Sequence, residues 1–226
     1  GPVIISLPED MLLDETNIPA LTPVVISQPK PNMNDISKIC EMIAIAKRPL
    51  IIAGGQIGGS AGRNALRTVS ETWDIPVATA WRHQDLFNTN HPNFSCHLAF
   101  NMPPIFKETL NESDLIIGIG TRLGDVVTQG YKIPSAPQPI QKLIHIYNDT
   151  KPLGKVFQTD LAIVADATKT LELIATIDPP EIPKERPDWI SKAHALSADK
   201  FKWELSNASD GVPLGNVVAH IRNVAE

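Results

Sequence analysis

Short apolar runs alternate along this chain with segments of helical periodicity, and that alternation restricts the fold more than any other feature. Leu50-Ile51-Ile52-Ala53, Pro76-Val77-Ala78-Thr79, Asp114 to Ile119, Leu143 to Tyr147 and Ala162 to Ala165 read as buried strands. Between them, Asp35 to Ala46 places Ile36, Ile39, Cys40, Ile43 and Ala46 at the three-four spacing of an amphipathic helix. Ser60 is a candidate cap for a helix running to about Trp73, Pro103 to Leu110 reads as another, and Asp166 to Ile177 closes the series. Strands apolar on both faces and separated by helices predict a doubly wound α/β layer, a mostly parallel sheet flanked by helices and Rossmann-like in type.

The chain of 226 residues is long enough for one full core. A net charge of −5 and the lack of any basic run argue against a broad nucleic-acid-binding face. No apolar stretch is long enough for a membrane span, and the first residues do not read as a signal peptide. The two cysteines, Cys40 and Cys96, cannot form a four-cysteine zinc site or a disulfide framework, which fits a reducing, cytoplasmic setting. Both ends carry proline. Val3 to Leu7 has strand character but needs a sheet to join, and Pro19, Pro23, Pro29 and Pro31 follow in a linker without helical period. Residues 178–188 form a second proline-rich hinge, ahead of a helix from Trp189 to Ser206 and a short amphipathic helix opened by Pro213-Leu214 and running to Val224. The expected organisation is a central domain at 33–177. Residues 1–32 are then the end strand of a preceding domain plus a linker, and residues 178–226 a linker and the start of a following domain.

Two strand-to-helix turns are candidate binding loops. Gly54-Gly55-Gln56-Ile57-Gly58-Gly59 follows the first strand, where glycine permits close backbone approach and helix N–H groups can face phosphate. It is an incomplete dinucleotide fingerprint: Ala53 takes the first glycine position, and Thr79 and Ala80 stand where a ribose-binding carboxylate belongs. A tight turn that merely packs a helix on the sheet is an equal reading. The second turn runs from Gly118 through Gly120 and Arg122 to Asp125, and Arg122 there could clamp a diphosphate or pair with Asp125. Asp166, after the last strand, could accept from a nucleotide or cap the closing helix. The histidines form no metal-binding pattern, and Cys96 and His97, adjacent on an extended segment, point to opposite faces. No catalytic residue and no metal ligand is assigned.

Several stretches, taken in order, resemble the thiamine-diphosphate-dependent enzymes related to acetolactate synthase. Gly1 to Asp10 resembles the strand that closes their first, pyrimidine-binding domain. Arg48-Pro49-Leu50-Ile51-Ile52-Ala53-Gly54-Gly55, Ile75 to Thr79, His91-Pro92-Asn93-Phe94, Asp114 to Arg122, and Leu143 to Ile146 with Asp149 are similar to landmarks of their central domain. The resemblance implies a Rossmann-like domain of the DHS-like NAD/FAD-binding type, non-catalytic, set between two domains that bind thiamine diphosphate and Mg²⁺ in a homo-oligomeric parent enzyme. That parent would be a carboligase (a transferase) or a decarboxylase (a lyase) acting on 2-oxo acids. The activating glutamate and the Gly-Asp-Gly motif of the family do not occur here, so this polypeptide alone is expected to be inactive and to hold no cofactor of its own.

In some relatives the central domain holds FAD or ADP. By resemblance Arg122 and Asp166, with the backbone at Gly54, Gly55 and Gly120, would touch it. Two departures argue against FAD: Ser95-Cys96-His97-Leu98-Ala99 replaces a Gly-Met-His-Gly stretch, and Tyr147 replaces an aspartate. The alternative reading is an independent nucleotide-binding module (FAD/ADP or NAD) on a similar fold.

Overall fold

The computed structural model describes residues 3–100, 102–198 and 204–225. Helix α1 (Met33–Ile45) is capped by Asn32, whose side-chain oxygen accepts from the Asp35 N–H at 2.8 Å. Strand β1 (Pro49–Ala53) is buried along its whole length. Helix α2 (Gly59–Thr72) is capped by Gly58 and not by Ser60. Gly59 adopts a left-handed φ of +58° and the Gly58 N–H donates to Thr168 Oγ1 at 2.9 Å, so the helix starts before the serine and leaves it in the first turn.

The chain continues through β2 (Val77–Ala80), β3 (Phe94–Leu98), α3 (Pro104–Glu112), β4 (Leu115–Ile119), β5 (Lys142–Tyr147), β6 (Leu161–Val164) and α4 (Ala167–Ile174). Strand β3 is absent from the sequence reading. Its residues, Phe-Ser-Cys-His-Leu, include no β-branched side chain, and it joins β2 through a register shift between Val77 and Ala78. Asp114 does not open β4; its carboxylate accepts from the N–H groups of Lys47 and Arg48 at 2.8 and 2.9 Å and ties the start of β4 to that of β1.

The six strands lie in the order β3-β2-β1-β4-β5-β6, and every neighbouring pair is parallel. This is the doubly wound α/β sheet that the alternation predicts. Odd and even residues of β1 serve opposite faces. Ile51 and Ala53 join Ile117, Ile119, Ile144 and Ile146 beneath α1, α2 and α4. Leu50 and Ile52 join Ile116 and Leu143 beneath α3 and the segment from Leu123 to Ile133. Each such buried side chain contributes about 1.5–3 kcal/mol, and burial on both faces explains why the strands read as continuous apolar runs.

The ends differ from the reading in two ways. Val3 to Leu7 forms no strand and leaves Val3, Ile4, Ile5 and Leu7 at least 70% exposed, because no edge of this sheet receives it. Helix α5 (Arg186–Ala198) begins earlier than Trp189, and Glu204, Leu205 and Ser206 are not helical; residues 199–203 lie outside the described residues. Buried Trp189 fastens α5 to the domain by donating from Nε1 to the Pro49 carbonyl at 2.7 Å. Helix α6 (Leu214–Val224) has no buried residue. Among the described residues no helix is long and apolar enough to cross a membrane.

Candidate functional site

The strand order reverses between β1 and β4, and in such sheets the crevice beyond the carboxyl ends of those strands is the natural binding place. The turns after β1 and β4 meet there backbone to backbone. The Gly54 N–H donates to the Ile119 carbonyl at 2.9 Å, and the Gln56 N–H to the Gly120 carbonyl at 3.2 Å. A Cβ on Gly54 would lie 2.5 Å from the Gly120 carbonyl oxygen and from Thr121 Cβ, so only glycine allows the approach.

In front of these turns lies a cavity of about 420 Å³, lined among others by Gly55, Trp81, His83, Gly120, Arg122, Asp125 and Tyr147. That volume falls within the range of small-molecule sites. Its walls combine aromatic faces with charge. Trp81 meets Phe100 edge to face at 4.9 Å, and the Arg82 guanidinium lies 5.7 Å from the Trp81 ring. The His83 ring rests on Gly55, where a Cβ would come within 2.3 Å of it. Arg122 is exposed, and among the described residues it forms no ion pair; the Arg122–Asp125 pair allowed by the sequence is not made.

Two histidines brace the site from behind. His145 is buried and its Nε2 lies 2.9 Å from the Thr121 carbonyl. Burial pushes its pKa down, so the ring is neutral and donates from Nε2, fixing the start of the Arg122 loop. His97 Nδ1 pairs with Thr79 Oγ1 at 3.0 Å, and its pKa too is lowered by burial. On the third side the Gln56 amide and Asn148 exchange two hydrogen bonds, Nε2 to Oδ1 and backbone N–H to Oε1, closing the crest between β1 and β5.

Of the residues singled out in the sequence, Gly55, Gly120 and Arg122 come together on the cavity wall, and Gly54 supports them from behind. Asp166 does not line the cavity: its Oδ1 accepts from the Lys169 N–H at 2.7 Å and caps α4. Trp81, His83 and Gln56 were missed as lining residues. The signal was available, since Trp81-Arg82-His83 directly follows β2 at the carboxyl end of the sheet. The opening of α2 is turned partly away, with the Gly58 N–H committed to Thr168, so this turn is not a free phosphate cradle of the dinucleotide kind.

A doubly wound parallel sheet with a ligand-sized crevice at its switch point defines a Rossmann-like binding module. The chain belongs to the thiamine pyrophosphate enzyme family, whose central domain matches residues 36–174. It is 30% identical over 208 residues to a probable acetolactate synthase large subunit of Methanocaldococcus jannaschii, covering 87% of this chain and 34% of that protein. A probable acetolactate synthase large subunit of Methanococcus aeolicus is 33% identical over 79% of this chain and 31% of its own length. The mitochondrial catalytic subunit of acetolactate synthase from Saccharomyces cerevisiae is 27% identical over 85% of the chain and 30% of its own length. The likeness to acetolactate-synthase-like central domains, read from the strand and turn landmarks, is borne out. The chain spans about a third of the length of the curated relatives it matches.

Proposed function

We propose that this chain serves as the non-catalytic central domain of a thiamine-diphosphate-dependent enzyme acting on 2-oxo acids, an acetolactate-synthase-like carboligase or decarboxylase. The observation that carries this is the family match over 36–174 in a chain that spans only a third of its relatives. Thiamine diphosphate, which supplies carbanion stabilisation when bound, and Mg²⁺ are then held by the parent's other domains. Residues 33–177 form the domain proper. Exposed Val3 to Leu7 is an edge for the preceding domain's sheet, and α6 starts the following one. The parent is a homo-oligomer, and a cytoplasmic setting accords with two unpaired thiols. The test compares acetolactate and CO₂ production from pyruvate, with thiamine diphosphate and Mg²⁺, by the full-length parent and by the 226-residue chain. Turnover by the parent alone supports the reading; turnover by the chain alone overturns it.

Within that reading the switch-point cavity holds no FAD, and a nucleotide that entered it would be of ADP size. Arg122 supplies the phosphate contact, while the His83 ring over Gly55 and the half-buried Tyr147 occupy space an extended dinucleotide would need. The purified protein is expected to be colourless and to release no flavin on denaturation. ADP affinity should fall about tenfold or more in Arg122→Ala, the loss of one charge-assisted bond. Stoichiometric flavin, or an Arg122→Ala variant that binds ADP as well as wild type, would remove this assignment.

A further inference from the structure

A second cavity, of about 550 Å³, opens between α2 and the loop that joins β2 to β3, and it shares no lining residue with the switch-point crevice. We propose that it binds the phosphate group of a small organic phosphate, with Arg67 and Arg63 as the anion contacts. The two arginines stand four residues apart on α2 and so share one face, where like charges repel each other. Of the carboxylates, Asp85 lines the cavity, with its Oδ2 3.6 Å from Arg63 Nη1, while Glu71, four residues beyond Arg67 on the same helix, is held by His91. Among the described residues Arg67 has no ion-pair partner. Arg67 is therefore the guanidinium left open to an anion in the cavity, and Arg63 can join it by giving up the loose contact with Asp85.

The opposite wall is built and not loose. Leu86 and Phe87 are buried beneath it. Asn88 Oδ1 accepts the Asn90 N–H at 2.9 Å; His91 holds Glu71 through Nε2 at 2.9 Å and the Asn93 N–H through Nδ1 at 3.0 Å. With Asn88 Oδ1 and both His91 nitrogens engaged, the Asn88 amide nitrogen, the Thr89 hydroxyl and the amides of Asn64 and Gln84 can donate to a ligand. Two guanidinium forks facing amide and hydroxyl donors match the oxygens of a phosphate. The volume, in the range of small-molecule sites, leaves room for an organic remainder.

The probe is inorganic pyrophosphate, titrated at constant ionic strength into the 226-residue protein while the arginine Nε–Hε resonances are followed by NMR, with succinate as a carboxylate control. Saturable shifts at Arg63 and Arg67 are expected with pyrophosphate and not with succinate. Arg67→Gln, at an exposed position, should weaken binding tenfold or more. Asp85→Asn, which removes the competing carboxylate, should tighten it several-fold, and Arg122→Ala should leave it unchanged. No saturable shift at Arg67, an equal response to succinate, or indifference to Arg67→Gln would overturn the proposal.

Discussion

Among the described residues Arg186 is the most buried charge, with 0% exposure, and no carboxylate is hydrogen-bonded to it. Its guanidinium instead closes the carboxyl ends of two helices. Nε and Nη2 donate to the Ala46 carbonyl at 3.0 and 2.9 Å, Nη2 also to Ile43, and Nη1 to Trp73. Ala46 follows α1 and Trp73 follows α2, so a positive charge meets the negative end of both helix dipoles. Replacing a buried ion by an apolar side chain can be neutral when the whole polar set is removed. Arg186→Met does not meet that condition, because the carbonyls stay. Ile43 keeps the Ala46 N–H, while Ala46 and Trp73 lose the donors that the arginine provides. Two buried orphan acceptors at about 1–3 kcal/mol each, plus the lost dipole interaction, give a destabilisation of about 3–5 kcal/mol. Urea unfolding should then show a midpoint lowered by about 1–2 M at an m-value of about 2–3 kcal/mol/M. Arg186→Lys should recover only part of this, since one ammonium cannot span three carbonyls set by a planar fork. A loss under about 1 kcal/mol in Arg186→Met, at unchanged m, would refute the claim that this side chain fastens α5 to α1 and α2.

Three further outcomes follow from the same geometry. The pKa values of His145 and His97 are lowered by burial, so the unfolded chain takes up protons first; their contribution is full above the ordinary value of 6.5 and is lost as pH falls below it. Urea titrations from pH 7 to 5 should show stability falling, with a shallower fall in His145→Gln; an equal slope in the variant would contradict the assignment. Burial raises the Cys96 thiol to about 12 and the Cys40 thiol to about 11, so a disulfide reagent at pH 8 should label Cys96 only on unfolding, and rapid native labelling would show it accessible. Gly54→Ala should destabilise the fold by more than 1 kcal/mol, because the new Cβ meets the backbone at Gly120 and Thr121; a wild-type thermal midpoint would show that the two turns can part.

How much was legible depends on what each segment buries. β1, β4 and β5 are covered on both faces, and their apolar runs betray them directly. β3 sits at the edge with one ring, one hydroxyl, one thiol and one imidazole among five residues, so neither period nor propensity marks it. The start of α2 was misplaced because a left-handed glycine leads into it, a backbone property that the Ser60 signal hides. At the site, Gly55, Gly120 and Arg122 were legible as turn chemistry after strands. Trp81 and His83 carried the same signal, a position directly after a strand, but the contact that makes His83 a wall, its imidazole resting on Gly55, arises only when β2 is set beside β1. Asp166 carried two readings, and the Lys169 N–H shows the one its carboxylate performs here.

The proposed function assigns catalysis to domains other than this one. The expectation rests on the sequence, in which no Gly-Asp-Gly tripeptide occurs. The direct measurement is calorimetric titration of the 226-residue protein with thiamine diphosphate in the presence of Mg²⁺. The account predicts no saturable heat up to millimolar cofactor, whereas stoichiometric binding at micromolar affinity would contradict it.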